Sequence, residues 1–317
     1  MNRRNLFLVI LLAVQLALLA ILSFTNGKGD AQRLTFLAGV TPERITGLEI
    51  DGEGGKGLRL ARAADGWRIT SQDNLPVEQE RIDKALATLT ALSSNQLVTR
   101  TSESHGRFLV AEQRFRQRLT VRLGDGSKKV LYLGSAPSFK ATHVRLEGDQ
   151  RIFLVRDFSA LDLPLEAASW WKSGYVDVPE DTLTRIRIAN SHGTLVLSRQ
   201  PGGKWEMTEP KGTVDPARAQ ALVDKVRRIV LSEYLGQEDK DAHGLKTPTA
   251  TLSLTTEAGE IVLRVGAADP SGTGLVIKSS ASPSFARASK AALAGVLDAR
   301  AEALLLGSAP TPAKDQK

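Results

Sequence analysis

The chain has 317 residues, 42% of them hydrophobic and 24% charged, enough for about two globular domains and too apolar for a disordered chain. It contains no cysteine, which excludes disulfides, thiolate metal sites, a cysteine nucleophile and a lipidated N-terminal cysteine. A net charge of +7 favours an anionic partner, either a nucleic acid or a membrane surface, and the first segment chooses between these.

Leu6 to Phe24 carries no charge and is long enough to cross a bilayer core as a helix. Arg3 and Arg4 before it predict an N-in orientation with the body exported. An uncleaved anchor is expected. A cleaved signal peptide has a shorter apolar region and ends in a small-x-small site, which Ala20–Ile21–Leu22 does not supply. Export of the body argues against a nucleic-acid partner.

After a polar linker to Gln32, alternation predicts strands at Ile45–Asp51 and Leu58–Arg62 around the glycine-rich turn Gly52–Gly57. A third strand follows at Trp67–Ile69. Ile82, Leu86, Leu89 and Leu92 share one face of a helix. The segment Phe115–Leu123 reads as a half-buried strand that turns at Asp125–Gly126 into Val130–Leu133. His143–Leu146 and Ile152–Val155 close the first set.

The pattern then recurs. Val178–Pro179–Glu180 answers Val40–Thr41–Pro42–Glu43, and Trp205 with Met207 answers Trp67 with Ile69. Asp215–Pro216 marks a helix start, with Val223, Val226 and Ile229 on its apolar face. Thr251–Thr255, Ile261–Val265 and Leu275–Lys278 follow as strands. The alanine-rich stretch Ala286–Leu306 reads as helical, and the residues from Gly307 as a disordered tail. Each half therefore reads β-β-β-α-β-β-β-β with hairpin connections throughout. The fold class expected is α+β: an N-terminal transmembrane helix, then two tandem repeats, each an antiparallel sheet with one packed amphipathic helix. The corresponding domains are 1–31 (anchor and linker), 32–170, 171–306 and the tail 307–317.

Several residues resemble the DUF4340 family, a bacterial domain of unknown biochemical function. They are Trp67 and Ile69 before a helix, Val130–Leu131–Tyr132–Leu133–Gly134, Trp170–Trp171–Lys172 at the repeat boundary, and Gly244–Leu245–Lys246–Thr247–Pro248 ahead of a strand. The resemblance spans about Leu34 to Leu306. In the first half, His105–Gly106–Arg107–Phe108 lacks the Gly-Leu-x-x-Pro form. The resemblance implies a protein of the bacterial inner membrane with a periplasmic body, associated with an ABC-type transporter of the gliding-motility kind. It brings no catalytic residues.

No motif names a reaction, a cofactor or a metal. The glycine run Gly52–Gly57 lacks the Lys-Ser/Thr ending and the following helix of a phosphate loop. His105, His143, His192 and His243 have no ligand spacing. Carboxylates such as Glu78, Glu80, Glu238, Asp239 and Asp241 fall on helix starts or polar loops. Two features are candidate interaction surfaces. Arg114, Arg116, Arg118 and Arg122 alternate on one strand face, where they form a cationic stripe unless acidic residues of a neighbouring strand pair with them. At Trp170–Trp171, adjacent side chains point to opposite sides, so one is free to meet a partner. The expected function is a non-catalytic, membrane-anchored binding or scaffold protein of the exported compartment, accessory to an ABC-type transport complex. The alternatives are an extracytoplasmic hydrolase acting on an envelope polymer at an inter-repeat cleft, and a soluble solute-binding protein released by cleavage.

Overall fold

The computed structural model describes Val14, Gln15, Ala17 and residues 33–307. The first repeat contains β1 (Leu34–Thr35), β2 (Ile45–Gly52), β3 (Gly57–Ala63), β4 (Gly66–Ile69), β5 (Leu75–Pro76), α1 (Gln79–Thr90), β6 (Ser93–Ser94), β7 (Leu97–Thr99), β8 (Gln117–Leu123), β9 (Lys128–Leu133), β10 (Ala141–Leu146) and β11 (Ile152–Arg156). The second contains β12 (Gly174–Asp177), β13 (Leu183–Asn190), β14 (Gly193–Arg199), β15 (Trp205–Glu209), β16 (Lys211–Gly212), α2 (Pro216–Val226), β17 (Arg228–Val230), β18 (Glu233–Gly236), β19 (Ala250–Thr256), β20 (Gly259–Ala268), β21 (Gly274–Ser279) and β22 (Phe285–Ser289). The helices α3 (Lys290–Leu297) and α4 (Ala301–Leu304) end it.

Two nine-stranded sheets share one strand order. The first runs β5-β4-β3-β2-β8-β9-β10-β11-β7 and the second β16-β15-β14-β13-β19-β20-β21-β22-β18. All their recorded pairings are antiparallel, as are the small pairs β1–β6 and β12–β17. The chain divides into two compact units. One runs to Ser71 and from Gln79 to Ser169, and the other takes Gln72–Glu78 and everything from Trp170.

These findings correct the expected fold class. The protein is mostly β, and among the described residues no helix is long and apolar enough to cross a membrane. Leu6–Phe24 lies outside the described residues except for Val14, Gln15 and Ala17, as do the linker to Gln32 and the tail beyond Gly307. The connections are not all hairpins either. After α1 the chain reaches β7 at the far edge of the sheet, then returns to pair β8 with β2 at the centre. Edge strands of two to four residues carry too little alternation to be read from sequence.

Ala286–Leu306 departs from its helical reading as well. Ala286 and Ala288 are fully buried on β22, where pairing with β21 overrides alanine's helix preference. The helix begins only at Ser289, whose hydroxyl accepts from the Ala292 N–H at 3.1 Å. The first repeat carries a one-turn counterpart: Ser159 accepts from the Leu161 N–H, and the Ser159 N–H donates to Asp162.

Each sheet buries one face through alternation. In the first, Leu48 and Ile50 stand beside Leu58, Leu60, Leu119 and Val121, with Ile82, Leu86 and Leu89 contributed by α1. In the second, Ile186 and Ile188 stand beside Leu195, Leu197, Leu252 and Leu254. Trp67 and Trp205 occupy matching places on β4 and β15, and both are buried with indole N–H groups that have no partner among the described residues. Asp215 caps α2 as expected, accepting from the Ala217 and Arg218 N–H groups.

Two glycines explain a recurrent motif. A Cβ built on Gly134 would sit 2.1 Å from the Phe108 carbonyl oxygen, and one on Gly266 2.1 Å from the His243 carbonyl oxygen. Glycine stands just after β9, and at the register irregularity within β20, because the segment leading to the central strand crosses directly over it. Gly134→Ala and Gly266→Ala are each expected to destabilise their unit by about 1–3 kcal/mol, the usual range for overpacking. Gly106→Ala, which meets nothing within 4 Å, should be near neutral by urea unfolding. Equal stability of all three would show that the close crossing is not structural.

Candidate interaction surface

The face of the first sheet opposite the leucines carries the charges. Register places Asp51 of β2 beside Arg118 of β8, and Glu49 beside Thr120 and, on the other flank, Arg59 of β3. Arg118 donates to Asp51 from Nη2 at 2.8 Å and from Nε at 3.2 Å, and Arg59 donates to the other oxygen at 2.5 Å. Arg122 donates to Glu49, which also lies 3.5 Å from Arg59. Two carboxylates on β2 thus sit between arginines from both neighbouring strands.

The Asp51 side chain is only 13% exposed. Burial pushes its carboxyl up, but hydrogen bonds from Arg118 and Arg59, together with their charges, outweigh burial and hold it below its ordinary value. The Arg118 guanidinium is raised chiefly by the same hydrogen bond to Asp51.

The four arginines of the sequence pattern therefore separate. Arg118 and Arg122 share a strand face and are paired with carboxylates. Arg114 and Arg116 precede the strand, because β2 ends at Gly52, the partner of Gln117, and nothing remains for earlier residues to pair with. Ala111 and Arg114 instead exchange backbone hydrogen bonds, and the Arg116 N–H donates to the Leu109 carbonyl at 3.1 Å. Both side chains are exposed and make no ion pair among the described residues. A pocket of about 460 Å³ lies between the glycine turn and this approach, with Asp51, Gly54, Arg114, Phe115 and Arg118 among its walls.

A buried cation positions the approach. Arg145 of β10 is 3% exposed, lies with its guanidinium 4.4 Å from the Tyr132 ring centre, and donates to the Val110 carbonyl at 2.8 Å. Val110 packs with Val130, Tyr132 and Ile152, and Phe108 and Phe115 cover them. The segment that carries Arg114 and Arg116 is thus fixed over β9 and β10. Sequence reasoning missed Arg145, whose position on an alternating strand gives no sign that it turns inward.

The tryptophan pair lies elsewhere. Trp170 is buried at 2% exposure and offers no surface, and its carbonyl accepts from the Glu78 N–H. Trp171 is half-buried. It bridges to Val77 of the same unit and packs edge-on against Tyr234, ring centres 5.4 Å apart. Tyr234 in turn faces Tyr175, whose hydroxyl donates to the Ser284 carbonyl at 2.6 Å. Among the described residues, no group of three or more histidine, aspartate and glutamate side chains is placed to hold a metal.

The depressed Asp51 carboxyl fixes a sign. Its stabilisation is complete above about pH 4, the unfolded aspartate value, and is lost as pH falls through the lower folded value. Asp51→Asn is expected to cost about 1.5–3 kcal/mol at pH 7, the range for a hydrogen bond to a charged group. The gap from the native chain should narrow as pH falls below about 4. Urea unfolding at several pH values tests this, and a gap that persists in acid would remove the charge pairing as its cause.

The comparisons with known proteins come down to one family. No curated protein and no solved structure matches the chain. The family described as Domain of unknown function (DUF4340) matches residues 67–248. The matched stretch opens at Trp67 on β4 and closes at Pro248, just before β19, so it takes part of both repeats and is shorter than the span of the motif resemblance. It covers more than half of the chain, and the protein belongs to the DUF4340 family.

Proposed function

We propose that this protein is a non-catalytic binding or scaffold component held at a bacterial membrane, with its body outside the cytoplasm, accessory to an ABC-type transport complex. The observation that carries the non-catalytic reading is the commitment of the acidic groups on the charged face. A carboxyl that transfers protons efficiently near neutral pH is one whose affinity for protons is raised toward 7. Asp51 is moved the other way by two arginines. What the face offers to a partner is guanidinium and aromatic surface, suited to contact rather than to acid–base chemistry. The membrane attachment is supported by the uncharged run Leu6–Phe24 behind Arg3 and Arg4. The transporter partner is what the family resemblance implies.

Isolating the full chain from detergent-solubilised native membranes tests both parts. The chain is expected in the membrane fraction after alkaline extraction, and transporter subunits are expected to copurify with it. Recovery of the chain alone would end the accessory reading, and recovery in the soluble fraction would end the membrane attachment.

A further inference from the structure

The first sheet presents, at one end, a cluster that neither the repeat nor the ion pairs require. The turn from β9 to β10 closes tightly at Ser138–Ala141, where the Ala141 N–H donates to the Ser138 carbonyl and Lys140 takes a left-handed φ of 52°. Phe139 and Lys140 are the central residues of that turn. Phe139 is 88% exposed, the most exposed large hydrophobic side chain among the described residues. Isolated exposed apolar residues are ordinary, so the surroundings decide its meaning.

Those surroundings are cationic. The Lys140 Nζ lies 6.0 Å from the Phe139 ring centre. The Ser135 N–H donates to the Phe108 carbonyl at 2.9 Å and the Arg116 N–H to the Leu109 carbonyl at 3.1 Å, so the β9–β10 connection and the arginine approach are tied to adjacent residues at one end of the sheet. Arg107, Arg114, Arg116 and Lys140 are all exposed, and none makes an ion pair among the described residues. Glu112 is the one acidic residue in segments 106–116 and 134–140. An exposed ring beside unpaired cations matches an interface where apolar tails lie beneath anionic headgroups. The other repeat shows that folding does not demand this. Its β20–β21 turn is closed by Asp269, which accepts from the Ser271 hydroxyl at 2.8 Å and the Thr273 N–H at 3.1 Å, with no aromatic residue in it.

The geometry points to the end of the first sheet that carries the Phe139–Lys140 turn together with Arg107, Arg114 and Arg116 as a site that docks on an anionic lipid bilayer surface. The inference deepens the membrane reading above: it names the part of the body that meets the bilayer and the charge of the lipid.

The absence of cysteine allows a single label. The full chain carrying Phe139→Cys with an environment-sensitive fluorophore is reconstituted with vesicles of phosphatidylcholine alone or mixed with phosphatidylglycerol. A label at Ser271→Cys serves as the control. With phosphatidylglycerol, emission at position 139 shifts to the blue and is quenched by brominated lipid tails, while the label at 271 does not respond. Reversing Arg114, Arg116 and Lys140 to Glu, or screening with about 0.5 M salt, abolishes the quenching. Each cation near an anionic surface is worth roughly a fivefold change in attraction. A label at 139 that stays in water on every vesicle, or responds only when a partner protein is added, overturns the docking site. Vesicle flotation of the same samples separates the two readings. A chain that floats with an unresponsive label refutes the docking site alone, and one that does not float refutes the attachment through Leu6–Phe24.

Discussion

The charged face depends on the pairing of β2 with β8, made after the chain has travelled through β3 to β7 and back. Its register sets two things together. It stands Leu48 and Ile50 beside Val121 and Leu119 on the buried face, and Asp51 beside Arg118 on the other. A slip of one residue would exchange the faces. Fully burying each of Leu48, Ile50, Leu119 and Val121 is worth about 1.5–3 kcal/mol, so the four together outweigh the ~1.5–3 kcal/mol of a hydrogen bond to the Asp51 carboxylate. The apolar face therefore selects the register, and the Asp51 and Glu49 pairs are a consequence that adds specificity to it.

The same economy governs the crossing segment. In the second repeat the residue after His243 is Gly244, with φ of 65°, as a left-handed turn prefers. In the first repeat the corresponding place, after Phe108, is held by Leu109 with φ of 57°. A leucine there costs about 1–2 kcal/mol. The pattern Gly-Leu-x-x-Pro is absent from the first repeat because leucine stands where its glycine belongs, not because the turn is missing. Packing of Phe108, Val110 and Phe115 on Tyr132, and the grip of Arg145 on the Val110 carbonyl, hold the strained residue in place. A ring contact supports the crossing in each repeat, reached from different strands: Phe108 on His143 of β10 at 4.5 Å and His243 on Phe285 of β22 at 4.7 Å.

Much of this was legible in the residues. The Gly52–Gly57 and Asp125–Gly126 turns lie between paired strands as expected, and Asp215–Pro216 marked the start of α2. These are local signals, carried by backbone conformations that only certain residues accept. What was not legible is long-range. Alternation placed Arg118 and Arg122 on one face, but nothing local shows that β2 is the neighbouring strand, so their carboxylate partners stayed hidden. The short strands β5, β7, β16 and β18 exist because an edge stands open beside them. Arg114 and Arg116 obeyed the alternation and still fell outside the strand, because its partner had already ended.

Duplication separates what a fold needs from what it carries. Glycine under the crossing segment (Gly134 after β9, Gly266 in β20), tryptophan on β4 and β15, and a capping serine (Ser159 after β11, Ser289 closing β22) recur because each meets a geometric demand common to both sheets. The turns β9–β10 and β20–β21 face the same demand, and Asp269 shows that it can be met with hydrogen bonds internal to the turn. Phe139 contributes almost nothing to the interior and exposes apolar area to water. Arg107, Arg114, Arg116 and Lys140 at the same end of the sheet make no ion pair among the described residues and repel one another. Both costs fall on the first repeat alone, and each is offset only when the surface they form is occupied.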